Sequence, residues 1–199
     1  MKDVNLIILA GGDSRRMKFP KEFLKIDDEY LIHKNIRILK NIFDEIIVVS
    51  NEKSHYENLD VKVVRDIFYK KGPLAGLHSG LTYSSKKFSY LLACDMPIVD
   101  LNFVKFVISN IDTKFDGVVF EDENKKILPM NGIYKNELKT LLKEELLKNN
   151  LKFTNFINKN NFKILPYEKI KKFYNEGVFL NLNTQKDLEK LKQNEKNSF

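Results

Sequence analysis

Residues 5–21, NLIILAGGDSRRMKFPK, place four cations, Arg15, Arg16, Lys18 and Lys21, shortly after a glycine pair, Gly11 and Gly12. Glycine lets a backbone come close to a ligand and tolerates left-handed dihedrals. A turn rich in N–H groups followed by clustered cations is chemistry suited to a polyphosphate. The same residues also read as a plain strand-ending turn. Arginine usage favours the first reading. Of 34 Lys+Arg only Arg15, Arg16, Arg37 and Arg65 are arginine, so half of a scarce type sits in this loop. The planar guanidinium grips phosphate oxygens bidentately, which an ammonium cannot do. Asp95 is the metal candidate, because Mg²⁺ bridging nucleotide phosphates needs only one or two protein carboxylates. An aspartate near a proline also suits a turn cap. Asp66 is a weaker counterpart that reads first as a turn residue. Cys94 reads as core rather than nucleophile. His33, His55 and His78 form no hydrolytic signature and no metal-ligand spacing; His33 reads as a helix-face residue and His78 as packing.

These residues need a scaffold that gathers them. The runs at 6–9, 45–50, 61–64 and 88–93 are short and apolar, as strands buried on both faces are. Between them, 30–43 carries an apolar helical stripe and 73–81 opens on Pro73, which suits a first helical turn. Leu74, Leu77 and Leu81 share one face of that helix, and Gly76 and Gly80 share another where close packing is possible. Residues 100–110 form a third amphipathic segment. This alternation argues for a doubly wound, mainly parallel α/β sheet. Ligands in such sheets sit beyond the carboxyl ends of the strands. Residues 10–21, Ser50 and Asn51, Arg65 and Asp66, and 94–97 all fall at that edge.

The later chain is less regular. Strands are expected at 116–120 and 127–134 around a hairpin turn at 121–126, then a helix at 137–147. Residues 149–161 are rich in Asn and Lys and read as a mobile connection. Short strands follow at 162–165 and 178–180, and a final helix at 184–191 starts on Thr184 as its cap. The chain reads as one domain, with a nucleotide-binding half at 1–110, an acceptor-binding half at 111–193 and a tail at 194–199.

Composition narrows the function class. A hydrophobic fraction of 43% supports a core in a chain of 199 residues. No apolar run is long enough for a transmembrane helix, and the glycines arrive too early for a signal peptide. The single cysteine excludes an internal disulfide and fits a reducing cytoplasm. The net charge of +7 raises nucleic acid as a partner, but the lysines are scattered among acidic residues rather than gathered in a patch.

Taken together, LAGGDSRRM (9–17), Lys21, GPLAGLHSGL (72–81), ACDMP (93–97) and FLNLNT (179–184) resemble the molybdenum cofactor guanylyltransferase family. The motifs follow the family's order over nearly the whole chain. The first is shared by many nucleotidyltransferases, and its combination with GPLAGL and ACDMP is more specific. The resemblance implies a Rossmann-like three-layer sandwich of the nucleotide-diphospho-sugar-transferase type. It implies that the backbone of Leu9, Ala10, Gly11 and Gly12 cradles a guanine nucleotide and that Arg16 and Lys21 hold its triphosphate. Ser50 and Asn51 would lie beside base or ribose, Asp66 would contact the nucleotide and Asp95 would bind Mg²⁺. Asn181 and Asn183 would hold the pterin acceptor.

The implied reaction transfers GMP from GTP to molybdopterin, with Arg16, Lys21 and Asp95 as the catalytic groups. The implied protein is a cytoplasmic monomer that binds neither nucleic acid nor membrane. Its product would pass to molybdoenzyme chaperones or cofactor-carrying proteins. The segment PKEFL (20–24) looks more like the isoprenoid- and sugar-precursor cytidylyltransferases, so a cytidylyl reading stands beside the guanylyl one. An idle nucleotide-binding module of the same fold is disfavoured by Arg16, Lys21 and Asp95 being present together.

Overall fold

The strand Val4–Leu9 (β1) is buried along its whole length, and its side chains divide by parity. Leu6 and Ile8 enter one apolar core and Ile7 and Leu9 the other, as period-2 alternation in a doubly covered strand requires. The computed structural model describes residues 3–10, 21–26, 28–182 and 187. A 3-10 turn at Lys21–Phe23 leads to a two-stranded ribbon, Lys25–Ile26 (β2) and Glu29–Tyr30 (β3). Helix Leu31–Leu39 (α1), strand Ile46–Val49 (β4), a 3-10 turn at Lys53–Tyr56 and strand Lys62–Val64 (β5) follow. Then come helix Pro73–Tyr83 (α2), strand Phe88–Ala93 (β6) and helix Leu101–Ser109 (α3). Asp100 caps α3 by accepting from the backbone N–H groups of Asn102 and Phe103.

The second half supplies strands Gly117–Glu121 (β7) and Ile127–Lys135 (β8), helices Leu138–Leu147 (α4) and Phe153–Lys159 (α5), strand Phe162–Leu165 (β9) and helix Tyr167–Asn175 (α6). The sheet runs β5-β4-β1-β6-β8-β7-β9 through both halves. β5, β4, β1 and β6 are parallel, β8 is antiparallel to both β6 and β7, and β9 is parallel to β7. One face is covered by α1, α3 and α6 and the other by α2, α4 and α5. These are the three layers the resemblance implies, with one antiparallel strand in a mainly parallel sheet.

Two local expectations are corrected, and one helix, at 167–175, was not expected at all. Residues 149–161 are not a mobile connection: Phe153, Phe156 and Ile157 recur at helical spacing and all are buried. Among so many Asn and Lys residues, that three-residue stripe is what makes α5 fold onto the sheet. Residues 167–175 form α6, seated on buried Ile170. Residues 178–180 are a turn rather than a strand; the Val178 carbonyl accepts from the side chain of Asn131, not from a strand neighbour. The expected final helix lies outside the described residues except for Asp187. Among the described residues, no helix is long and apolar enough to cross a membrane.

Candidate functional site

The four parallel strands end at one level. Leu9 pairs with both Val49 and Ala93, and Val49 pairs with Val64. The ladder continues one residue further: Ala10 N donates to Val49 O at 3.0 Å, Ser50 N to Val64 O at 2.9 Å and Cys94 N to Leu9 O at 3.0 Å. Beyond these ends lies a cavity of about 580 Å³, within the usual range for a small-ligand site. It is lined by Leu9, Ala10, Ala93, Cys94 and Asp95 in the middle of the sheet. Asn51, Asp66, Tyr69, Lys70, Gly72 and Pro73 line the β4–β5 side, Met130 the β8 side, and Lys21 faces Asp95.

Lys21 Nζ donates to Asp95 Oδ2 at 2.5 Å. Each partner is held from several directions. The 3-10 turn carrying Lys21 closes with Leu24 N donating to Lys21 O at 3.1 Å, and Leu24 is fully buried with Ile26, Leu31 and Leu182. Asp95 is only 7% exposed. Its own carbonyl accepts from Leu182 N at 2.9 Å, and the next carbonyl, Met96 O, accepts from the buried Asn35 side chain at 3.0 Å. The carboxylate therefore sits on a turn fixed by β1, α1 and the segment after α6.

Asp66 behaves differently. Its Oδ1 is buried without a hydrogen-bond partner. Burial raises its pKa from 3.8 to about 6, against a smaller lowering by the Ser79 hydroxyl. A buried carboxylate oxygen on a cavity wall awaits a donor or a cation. Asp95 fits a hard divalent cation that arrives with a polyphosphate and completes its shell with phosphate oxygens and water, whereas Asp66, three strands away in the order β5-β4-β1-β6, stands at the other end of the cavity. Among the described residues, no group of three or more His, Cys, Asp and Glu side chains could hold a metal unaided.

Helix α2 brings Gly72 and Pro73 to the cavity by lying tight on β1. A Cβ at Gly76 would stand 2.8 Å from Leu9 Cδ2, and one at Gly80 2.6 Å from Ile7 Cγ2. These glycines are the close-packing face anticipated for 73–81. His78 packs edge-on to Phe68 at 5.1 Å, and burial lowers its pKa. His33 is more than a helix-face residue: its ring lies 4.6 Å from that of His55, and its Nε2 is 3.1 Å from His55 O. Cys94 is buried and lies against Ala10 O.

The structure thus brings Leu9, Ala10, Lys21, Asn51, Asp66 and Asp95 to one cavity. Ser50 does not line it; that residue is buried, and its hydroxyl accepts from Glu52 N at 2.9 Å, holding the turn after β4. Asn181 is exposed and also does not line it, although the next residue, Leu182, docks on Asp95. Gly11, Gly12, Arg16 and Asn183 lie outside the described residues. Tyr69, Lys70 and Met130 line the cavity without having been singled out. Met130 precedes Asn131, a buried residue with φ 61° in the middle of β8, which no motif marks. A lysine and a tyrosine in the strand-to-helix loop before Gly72-Pro73 are the only sequence sign of the other two.

The MobA-like NTP transferase domain matches residues 6–159. A protein of Syntrophotalea carbinolica named molybdenum cofactor guanylyltransferase is 33% identical over 96% of this chain and 91% of its own. One of Clostridium perfringens, named "Probable molybdenum cofactor guanylyltransferase", is 32% identical over 92% of this chain and 93% of its own. Among solved structures, molybdopterin-guanine dinucleotide biosynthesis protein A of Archaeoglobus fulgidus superposes with a TM-score of 0.79 at 21% identity, covering 94% of this chain and 95% of that one.

Proposed function

The chain belongs to the MobA-like NTP transferase family, and from that premise we propose that it transfers GMP from GTP to molybdopterin, forming the guanine dinucleotide cofactor and releasing pyrophosphate. The observation that carries this reading is end-to-end similarity to proteins named for that activity, joined to a cavity that pairs Lys21 with Asp95. The structural likeness to the Archaeoglobus protein supports the fold on which the reading depends.

In this reading the triphosphate lies over the ends of β1 and β6, with the backbone of Leu9 and Ala10 beneath it. Asp95 would hold a divalent cation, Mg²⁺, and the Lys21 ammonium would neutralise a phosphate oxygen beside it. The bound cation supplies neutralisation of charge on the phosphates. A phosphate oxygen of molybdopterin forms the new P–O bond at the α-phosphorus of GTP. The bond to the β-phosphate oxygen breaks on the opposite side, and pyrophosphate leaves with the electron pair. The attacking group is already an anion, so no strong general base is required. The residues contribute position and charge, with Arg16 assigned to the triphosphate and Asn181 and Asn183 to the acceptor. The protein acts as a cytoplasmic monomer and hands its product to molybdoenzyme chaperones or cofactor-carrying proteins.

The test is pyrophosphate release by the full chain with Mg²⁺ and molybdopterin, run separately with GTP, CTP, ATP and UTP. Release with GTP is expected. Release with CTP in its place would move the protein to cytidylyl transfer, and no release with any nucleotide would overturn the acceptor.

A further inference from the structure

The connection from β5 to α2 is built to hold a short tip over the cavity. Its flanks are anchored: Ile67 N donates to Ser79 Oγ at 2.9 Å, Phe68 packs on His78, and Lys71 Nζ donates to Leu146 O at 2.7 Å. Between them, Lys71 N donates to Phe68 O at 3.3 Å, closing a turn with Tyr69 and Lys70 at its centre. Lys70 has φ 59°, at the turn position where glycine or asparagine is the ordinary choice. A lysine held in that conformation is an outlier of the kind that gathers at functional sites. Tyr69 is 65% exposed although it lines the cavity, and Lys70 Nζ stands 5.2 Å from its ring centroid. Neither side chain serves the core.

We propose that Tyr69 and Lys70 select the nucleotide base: Tyr69 offers a stacking face to the purine, and Lys70 donates to the O6 and N7 acceptors of guanine. Topology places them for this role. The Lys21–Asp95 pair lies at β1 and β6, so a nucleotide with its phosphates there extends its base either toward β4 and β5 or toward β8. Tyr69 and Lys70 stand on the β4–β5 side with Asp66, leaving the β8 side, with Met130, to the acceptor. A lysine ammonium is all donor, so it accepts the keto edge of guanine and meets a competing donor at the 6-amino group of adenine. The aromatic face contributes to any base. The inference rests on the guanylyl-transfer reading and supplies its base choice.

The experiment titrates GTP, ITP, 7-deaza-GTP, ATP and CTP, each with Mg²⁺, into the full chain by calorimetry without acceptor. ITP keeps both acceptors that Lys70 reads and should bind nearly as GTP does, while 7-deaza-GTP, lacking N7, should bind about tenfold more weakly. Lys70→Met should weaken GTP and ITP by about tenfold, leave ATP unchanged and remove the 7-deaza penalty. Tyr69→Leu should weaken every nucleotide by about tenfold, with Tyr69→Phe recovering most of that loss. Both side chains are exposed, so these variants fold. A GTP-to-ATP ratio untouched by Lys70→Met, or a wild type that prefers CTP, overturns the inference. Pyrophosphate release with molybdopterin separates the two readings. A chain selective for GTP in this way that fails to transfer it refutes the acceptor alone. A chain that transfers GMP while Lys70→Met keeps full selectivity refutes the base-selecting arm alone.

Discussion

Asp66→Asn is expected to stabilise the protein near neutral pH while weakening nucleotide binding. The carboxyl is held at about 6 rather than 3.8, chiefly because burial disfavours its charged form. A raised folded-state pKa of an acid means that folding favours the protonated group. The stability it supports is complete below about pH 4 and is lost as pH rises through about 6. At pH 7.5 the native state therefore holds a carboxylate that would be better solvated in the unfolded chain. Moving from 3.8 to about 6 corresponds to about 3 kcal/mol, and partial exposure of the residue reduces that to about 1–2 kcal/mol. The amide carries no charge to desolvate, so the variant should gain about 1–2 kcal/mol at pH 7.5, or about 3–6 °C in melting temperature for a chain of this length. At pH 5 the gain should fall to about half, since the native group is then mostly protonated. Urea denaturation of both proteins at the two pH values measures this. An advantage equal at pH 5 and pH 7.5, or none at either, would refute burial as the source of the shift. The hydrogen-bond geometry agrees with that source, because the single proton of the Ser79 hydroxyl is donated to Ala75 O at 3.0 Å and Asp66 Oδ1 has no hydrogen-bond partner.

Asp95→Ala and Lys21→Ala should each lower turnover by about 10²- to 10³-fold with the circular dichroism spectrum retained; near-normal rates for either would remove it from the mechanism. Gly80→Ala should destabilise by about 1–3 kcal/mol in urea, because the new methyl would stand 2.6 Å from Ile7 Cγ2 in a fully buried layer. Phe156→Ala should cost about 3–5 kcal/mol, whereas a mobile 149–161 segment would lose almost nothing. Asn131→Ala removes the bonds to the Tyr90 hydroxyl and to Val178 O. It should raise KM for molybdopterin more than KM for GTP in steady-state assays, since those bonds hold the segment leading to Leu182.

The sheet edge was legible because burial wrote it into the sequence twice. Each strand of the parallel half is a mostly apolar run, and each stops at a small or polar residue at the same level. Ala10, Asn51, Asp66 and Asp95 could thus be placed together before any contact was known. Ser50 falls one position before the turn, and its hydroxyl accepts from Glu52 N. Helices α5 and α6 were hidden for another reason. Each is anchored by a few apolar residues at helical spacing, Phe153, Phe156 and Ile157 or Ile170, inside segments whose composition is otherwise Asn, Lys and Glu. Periodicity that short is overwhelmed by composition, and it is the sheet beneath that decides the conformation. Tyr69 and Lys70 were unreadable because their value lies in a backbone dihedral and a turn, neither of which residue identity reports.

Asp95 is held both from β1 and α1 and from the segment after α6. Its backbone is fixed by main-chain bonds, and its carboxylate is held by Lys21 Nζ. Cys94 N is tied to Leu9 O, Met96 O to Asn35, and Asp95 O to Leu182 N. The first two ties come from β1 and α1 and the third from the segment beyond α6. A group asked to hold a cation against a reacting phosphate gains most from being fixed before the ligand arrives. The segment after α6 and the main-chain carbonyl of Asp95 share one hydrogen bond, 2.9 Å long, so a shift of that segment is expected to move Asp95. Weakening the tether at Asn131 is therefore expected to reach Asp95 through Val178 and Leu182.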